Sequence, residues 1–221
     1  IEEPALFGWL ASAGYDPEVL DVRLTTPEKL ATLKAVFYLN PDFVDDASAT
    51  KLVDYVNQGG FLLNFLWPGR QNEAWQSSAA SNAFAALFPA KDDGFWQWLN
   101  AAREGTVNAS FPGLSAELES YWYESQWTPI GPHTPLLWER TEPFGTNGSV
   151  VGWLAQDGGK KRALIGTHVA TRFNQDDYYA LPAAEITRAT ALARHLLSVA
   201  GESPIVSTGA PRALAWARRS D

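Results

Sequence analysis

The chain has 221 residues, with 17 Lys and Arg against 25 Asp and Glu, a formal charge of −8 at neutral pH. An acidic domain without a basic stripe is a poor fit for nucleic acid or an anionic membrane, and no apolar run approaches the ~20 residues of a membrane span. The absence of Cys removes disulfides, thiolate catalysis and thiolate metal sites together.

This length suits one large α/β domain, or a domain with a short appendage. No basic-then-apolar leader precedes it, which favours a cytoplasmic location. The opening Ile1-Glu2-Glu3-Pro4, without an initiator Met, suggests excision from a longer chain. Ten Trp is a high share and directs attention to aromatic surfaces.

In chain order, Pro4 to Ala13 reads as a helix, with Leu6, Phe7 and Leu10 on one face and Gly14 at its end. Val19-Leu20-Asp21-Val22 reads as a short strand, and Thr26 as the N-cap of a helical turn through Leu30. Ala35 to Leu39 is a short apolar run of the kind buried on both faces of a parallel sheet. From Asp45 onward Leu52, Val53 and Val56 recur at helical spacing, and Gly59-Gly60 stops the helix. Phe61 to Leu66 is a second buried strand, closed by Trp67-Pro68-Gly69. Two parallel strands joined by a covering helix are the repeating unit of a doubly wound α/β sheet. The fold expected is therefore a mainly parallel sheet flanked by helices, with these two segments as neighbouring inner strands. Its chemistry would lie past the carboxyl ends of the strands. There the sequence offers Asn40-Pro41-Asp42 and Leu66-Trp67-Pro68-Gly69, with no Cys, Ser or His at either tip.

Glu73 to Phe88 reads as helical, and Phe95 to Ala102 as a short helix or strand. Residues 103–135 read as loop-rich, with several prolines and the aromatic cluster Tyr121-Trp122-Tyr123 and Trp127. Order returns with Leu136 to Arg140. The segments Ser149–Ala155 and Arg162–Thr167 flank Asp157-Gly158-Gly159-Lys160, a hairpin signal. Glu185 to Ala200 reads as a long helix ended by Gly201. Pro204-Ile205-Val206 and Ala213 to Arg219 alternate like strands. Residues 1–202 are thus expected to form the α/β domain, and 203–221 a linker or the start of a following β domain.

The run Leu52 to Leu63, helix then Gly59-Gly60 then strand, resembles the corresponding segment of glutamine-amidotransferase-like (flavodoxin-like) domains inside bacterial β-galactosidases, where a related module is called the trimerisation domain. The strand-turn-strand from Val151 to Thr167, the helix through His195-Leu196-Leu197 and the β-like Arg212 to Arg219 follow the same order. The likeness covers most of residues 5–200, on motifs shared with other flavodoxin-like domains. It implies a class I amidotransferase-like α/β fold serving as a non-catalytic structural or oligomerisation domain of a multidomain glycoside hydrolase. The implied partners are other domains of the parent chain, a sister subunit, and carbohydrate. A catalytic amidotransferase would carry a Cys at the turn after a central strand, with His and Glu nearby. No Cys exists here, so the resemblance implies the architecture without the chemistry. His168 follows the strand Ala163–Thr167, roughly where the family places its catalytic His, and is a vestigial-site candidate. A loop histidine left by ancestry is the preferred reading, since no nucleophile partner can be named.

No catalytic set, metal-ligand set or cofactor motif stands out. Asp42, Asp45 and Asp46, and Asp176-Asp177, form carboxylate clusters that could cleave glycosidic bonds if held roughly 5–9 Å apart. Capping of the following helix by Asp45 or Asp46 is the preferred reading. His133, His168 and His195 are too far apart for a zinc motif. Gly59-Gly60 ends a helix rather than opening one, so it is not a phosphate loop. Asn108-Ala109-Ser110 and Asn147-Gly148-Ser149 match the glycosylation acceptor pattern, one common by chance. Trp96, Trp98, Trp122 and Trp127 could stack on sugar rings, with Gln97, Glu124 and Gln126 as the nearest hydrogen-bonding groups. Burial in a domain or subunit interface is favoured, because aromatics are enriched there. Three functions stay open: a non-catalytic docking module, a carbohydrate-binding module, and an amidotransferase-like hydrolase with an unrecognised site.

Overall fold

The computed structural model describes residues 10–39, 44–65, 71, 74, 76–98, 105–141, 146–169 and 183–204. A helical turn at residues 10–12 opens it. Helix α1 (Pro27–Ala31) follows, capped as expected by Thr26, whose hydroxyl accepts the Lys29 N–H. Residues 19–22 are not the strand their pattern suggests. The Asp21 carboxylate takes the backbone N–H and guanidinium of Arg23, and the Asp21 carbonyl takes the N–H groups of Leu24 and Thr25. Such local side-chain bonding competes with strand pairing and favours a turn.

The strand-helix-strand unit forms as read. Strands β1 (Ala35–Tyr38) and β2 (Phe61–Phe65) are parallel neighbours, in register from Ala35 opposite Phe61 to Tyr38 opposite Asn64. Helix α2 (Asp46–Asn57) joins them. The Asp45 carboxylate accepts the Ser48 N–H at 2.9 Å, satisfying a donor the helix leaves free. Gly59 ends the helix at φ +92°, a region that favours glycine. At Gly60 the constraint is space: a Cβ would lie 2.2 Å from Tyr55 Cζ. The Tyr55 hydroxyl meets the carbonyls of Leu33 and Phe61, tying the helix to the entry of both strands.

Strand β2 is wholly buried, as its apolar run requires. β1 is not an inner strand: it ends the sheet and its first three residues are only half-buried. Beyond β2 the sheet departs from a doubly wound plan. Its other parallel neighbour, β8 (Lys160–Ile165), is reached through a hairpin with β7 (Thr146–Asp157). Gly158 and Gly159, at φ +50° and +82°, make the tight turn. A two-residue turn can join only antiparallel strands, so β7 runs against β8. The order is β1-β2-β8-β7-β6-β4-β5-β3, with β3 (Ala90–Trp98), β4 (Gly105–Phe111), β5 (Leu114–Pro129) and β6 (Thr134–Thr141) in an antiparallel run. The protein is α/β with a mixed sheet, parallel only across β1-β2-β8.

The 103–135 stretch, expected to be loop, supplies β4, β5 and the start of β6. Its prolines and glycines sit at the turns and strand ends: Pro112-Gly113 between β4 and β5, and Gly131-Pro132 between β5 and β6. Phe95 to Trp98 falls in β3, while 99–102 lies outside the described residues. The helix expected over 73–88 is shorter, α3 (Ala79–Ala85), opened by a capping box between Ser78 and Ser81. The C-terminal β-like segment, 205–221, lies outside the described residues.

Helices cover both faces. Phe61, Leu63 and Phe65 of β2 join Val107, Leu118, Leu137 and Val151 in a core with Leu192 and Leu196 of α4 (Ala183–Ala200). Leu62 and Leu164 face the other way, with Trp153, under Leu52 and Val56 of α2 and Phe84 of α3. One residue past β8, Gly166 donates its N–H to Val151 O at 2.7 Å, and the chain continues as β9 (Thr167–Val169) against β5. The strands β5-β4-β6-β7-β8 are hydrogen-bonded in turn, and the chain running from β8 into β9 returns to β5.

Candidate functional site

In an open α/β sheet the place to look is past the carboxyl ends of the parallel strands. Here those ends are β1, β2 and β8. Asp42, with residues 40–43, and the turn 66–70 lie outside the described residues. What is described there serves the helices. The Asp45 carboxyl, at the N-cap of α2, is partly buried, which acts to raise its pKa. Hydrogen bonds from Ser48 and neighbouring N–H groups outweigh this and hold it below the usual carboxylate range. Asp46 accepts from the Ser78 hydroxyl, which also accepts the Ser81 N–H at 2.9 Å. The N-termini of α2 and α3 are therefore stitched to each other. Asp45 is the N-cap of α2 and Asp46, in its first turn, is held by the Ser78 hydroxyl, and Asp176-Asp177 lies outside the described residues.

The three histidines do not meet. His168 is in β9, opposite Tyr121 of β5, so the residue read as a loop histidine is part of a strand. His133 Nδ1 sits 2.9 Å from Gly131 O in the β5–β6 turn. His195, on α4, stacks on Phe111 at 5.0 Å between ring centroids, with its Nε2 buried and without a hydrogen-bond partner. Burial pushes its pKa below the ordinary histidine value. Among the described residues no group of three His, Cys, Asp or Glu could hold a metal ion.

The register sorts the four tryptophans. Trp96 lies opposite Ser125 and Trp98 opposite Tyr123, with Gln97 opposite Glu124 between them. Directly opposed residues share a face and successive residues alternate. Trp96 and Trp98 thus belong to one face of the β3–β5 ladder, and Gln97 and Glu124 to the other. Trp127, opposite Asp92, holds an odd-numbered β5 position like Tyr123 and Ser125, whereas Trp122 holds an even one, like Glu124. β3 is also the last strand of the sheet on that side.

Sequence reading missed the use made of the cations. Arg162 on β8 is buried, and its Nε donates to Leu87 O at 2.5 Å while Nη1 and Nη2 grip the Asp157 carboxylate at 3.1 and 2.7 Å. Lys161 Nζ caps α4 at Val199 O, Arg194 reaches Ala13 O, and Arg188 reaches Glu117 O. Lys51 Nζ donates to Val22, Arg23 and Thr25 carbonyls. No local signal marks these residues, because their partners are carbonyls distant in sequence. Their effect is to tie elements together.

No family model and no curated protein matches the chain. Solved structures do match. The β-galactosidase from Bacillus circulans sp. alkalophilus aligns at a TM-score of 0.70 with 13% identity, over 93% of this chain and 28% of that one. The β-galactosidase from the Antarctic haloarchaeon Halorubrum lacusprofundi aligns at 0.65 with 18% identity, over 90% of this chain and 26% of that one. A cytoplasmic protein from Salmonella typhimurium aligns at 0.55 with 14% identity, over 87% of this chain and 86% of that one. At these identities the likeness is one of fold. The chain spans about a quarter of the length of the β-galactosidases it resembles. No helix among the described residues is long and apolar enough to cross a membrane.

Proposed function

We propose that this chain is a non-catalytic structural module of a multidomain glycoside hydrolase, with a β-galactosidase as the parent enzyme. The observation that carries the reading is the fold shared with about a quarter of each β-galactosidase chain at TM-scores of 0.65 and 0.70. The capped helices at the strand ends are in keeping with it, since the Asp45 carboxylate is committed to the Ser48 N–H and the Asp46 carboxylate to the Ser78 hydroxyl. The module buries its aromatic residues against other domains of the parent or a sister subunit, as in a trimerisation domain. The boundary between 1–202 and a following β segment belongs to the same proposal, as does an amidotransferase-like ancestry with His168 as its remnant.

The test is activity and association of the chain itself. It is expected neither to hydrolyse glutamine nor to cleave a chromogenic galactoside, and to self-associate with rising concentration in sedimentation velocity. Turnover abolished by His168→Ala, with the fold intact, would overturn it. A second reading, a carbohydrate-binding module, draws on Trp96, Trp98, Trp122 and Trp127, all of which fall in the paired strands β3 and β5. Its signature is saturable quenching of Trp fluorescence by millimolar galactose or galacto-oligosaccharide, lost in Trp122→Ala or Trp127→Ala.

A further inference from the structure

The loop between residues 21 and 25 converges three backbone carbonyls on one point. Val22 O and Arg23 O lie 3.0 Å from Lys51 Nζ, and Thr25 O lies 2.9 Å from it. An ammonium group has three protons and no acceptor, so each proton has its own carbonyl. Three carbonyl dipoles aimed at one point repel one another unless a cation stands there. Ion-selective pores use the same device, replacing a hydration shell with rings of carbonyl oxygens. Lys51 comes from α2, more than twenty residues along the chain, so the loop's shape depends on a distant element.

The rest of the loop is arranged to match. Thr25 Oγ1 donates to Asp21 O at 2.7 Å, and the N–H groups of Leu24 and Thr25 donate to the same carbonyl at 3.0 and 2.9 Å. Arg23 folds back on the Asp21 carboxylate. Held among these tethers is Leu24, 83% exposed and the most exposed large apolar side chain of the described residues. A loop free to relax would fold such a side chain against the protein to remove apolar surface from water. Here the polar tethers keep it out.

We propose that Lys51 is a latch whose ammonium fills the carbonyl cradle as a bound monovalent cation would, and that without it the local Asp21 tethers do not suffice to hold the 21–25 loop in the conformation that presents Leu24. The cradle suits a compact, roughly spherical donor. A planar guanidinium keeps the charge but spreads its donors in a fixed fork and cannot satisfy three converging carbonyls.

Amide hydrogen exchange of the purified chain tests this, with Leu24 and Thr25 as reporters and the amides of α4 and β2 as the reference for global opening. Lys51→Met and Lys51→Arg are both expected to speed exchange at the reporters by roughly tenfold or more, the scale set by losing a charge-assisted hydrogen bond, with the reference amides unchanged. In Lys51→Ala, ammonium chloride is expected to restore protection where equimolar choline chloride does not. Unchanged reporters in Lys51→Met would overturn the latch. So would equal acceleration at reporters and reference, or protection retained in Lys51→Arg. An identical response of Lys51→Ala to ammonium and choline would overturn the cation role.

Discussion

Arg162→Ala removes a guanidinium that ties three pieces of chain together, and the geometry sets how much that costs. The side chain is 6% exposed and its Nε holds Leu87 O, a carbonyl belonging to a buried residue just past α3. Stranding that acceptor costs about 1–3 kcal/mol. The two methylenes lost beyond Cβ add about 1.5 kcal/mol. The ion pair contributes little, because Asp157 is 54% exposed and returns to water when its partner leaves. With Asp157 more than half exposed, water screens the pair, which is worth about 0–1 kcal/mol. Against these stands the recovered cost of holding a charge away from water, so the net expectation is about 3 kcal/mol. For a chain of this size that lowers Tm by roughly 6–12 °C. Asp157→Asn, by contrast, is expected to cost no more than about 1 kcal/mol, and Arg162→Met to fall between the two. Urea unfolding of the three variants, followed by Trp fluorescence, provides the comparison. If Asp157→Asn costs as much as Arg162→Ala, the stabilisation resides in the hairpin ion pair and the reasoning from the carbonyl anchor is wrong.

The remaining predictions concern packing and pH. Gly60→Ala places a methyl 2.2 Å from Tyr55 Cζ, so it is expected to destabilise by about 1–3 kcal/mol. The penalty should shrink in a Tyr55→Ala background, and strict additivity in that double-mutant cycle would show that the ring is not the obstacle. Tyr55→Phe is expected to cost about 1 kcal/mol in urea unfolding, through loss of the hydroxyl's bond to Leu33 O or Phe61 O; no measurable loss would show that neither bond matters. Burial lowers the His195 pKa, so the unfolded chain binds the proton more readily than the folded one. Stability is then complete above about pH 6.5 and falls as pH drops from there through the depressed folded value. His195→Phe should remove that component of the pH profile, and an unchanged profile would exclude His195 as its source.

The local rules of the chain settled the caps of α1 and α2, the β1-α2-β2 unit and the β7–β8 turn, but not the turn at residues 19–22 or the length of α3. Asp45 and Thr26 cap the helices assigned to them, Gly59 ends α2, and Gly158-Gly159 turns β7 into β8. Each depends on residues within a few positions, where hydrogen-bond geometry and backbone freedom decide. The apolar run of β2 likewise announced burial on both faces, since Phe61, Leu62, Leu63 and Phe65 place apolar side chains on both of them. What tertiary structure alone decided was which strand lies beside which. The same apolar run in Ala35–Tyr38 became a half-buried end strand, because burial there depends on a neighbour the run does not encode. Residues 103–135 looked like loop because prolines and glycines at hairpin turns hide strands whose stability comes from cross-strand partners. The candidate site divided the same way. The absence of a thiol was plain from composition. The pairing of β3 with β5, the placing of His168 in β9, and the commitment of Lys51 and Arg162 to backbone carbonyls required strand register and long-range packing. Those depend on where distant segments meet, and no local pattern specifies that.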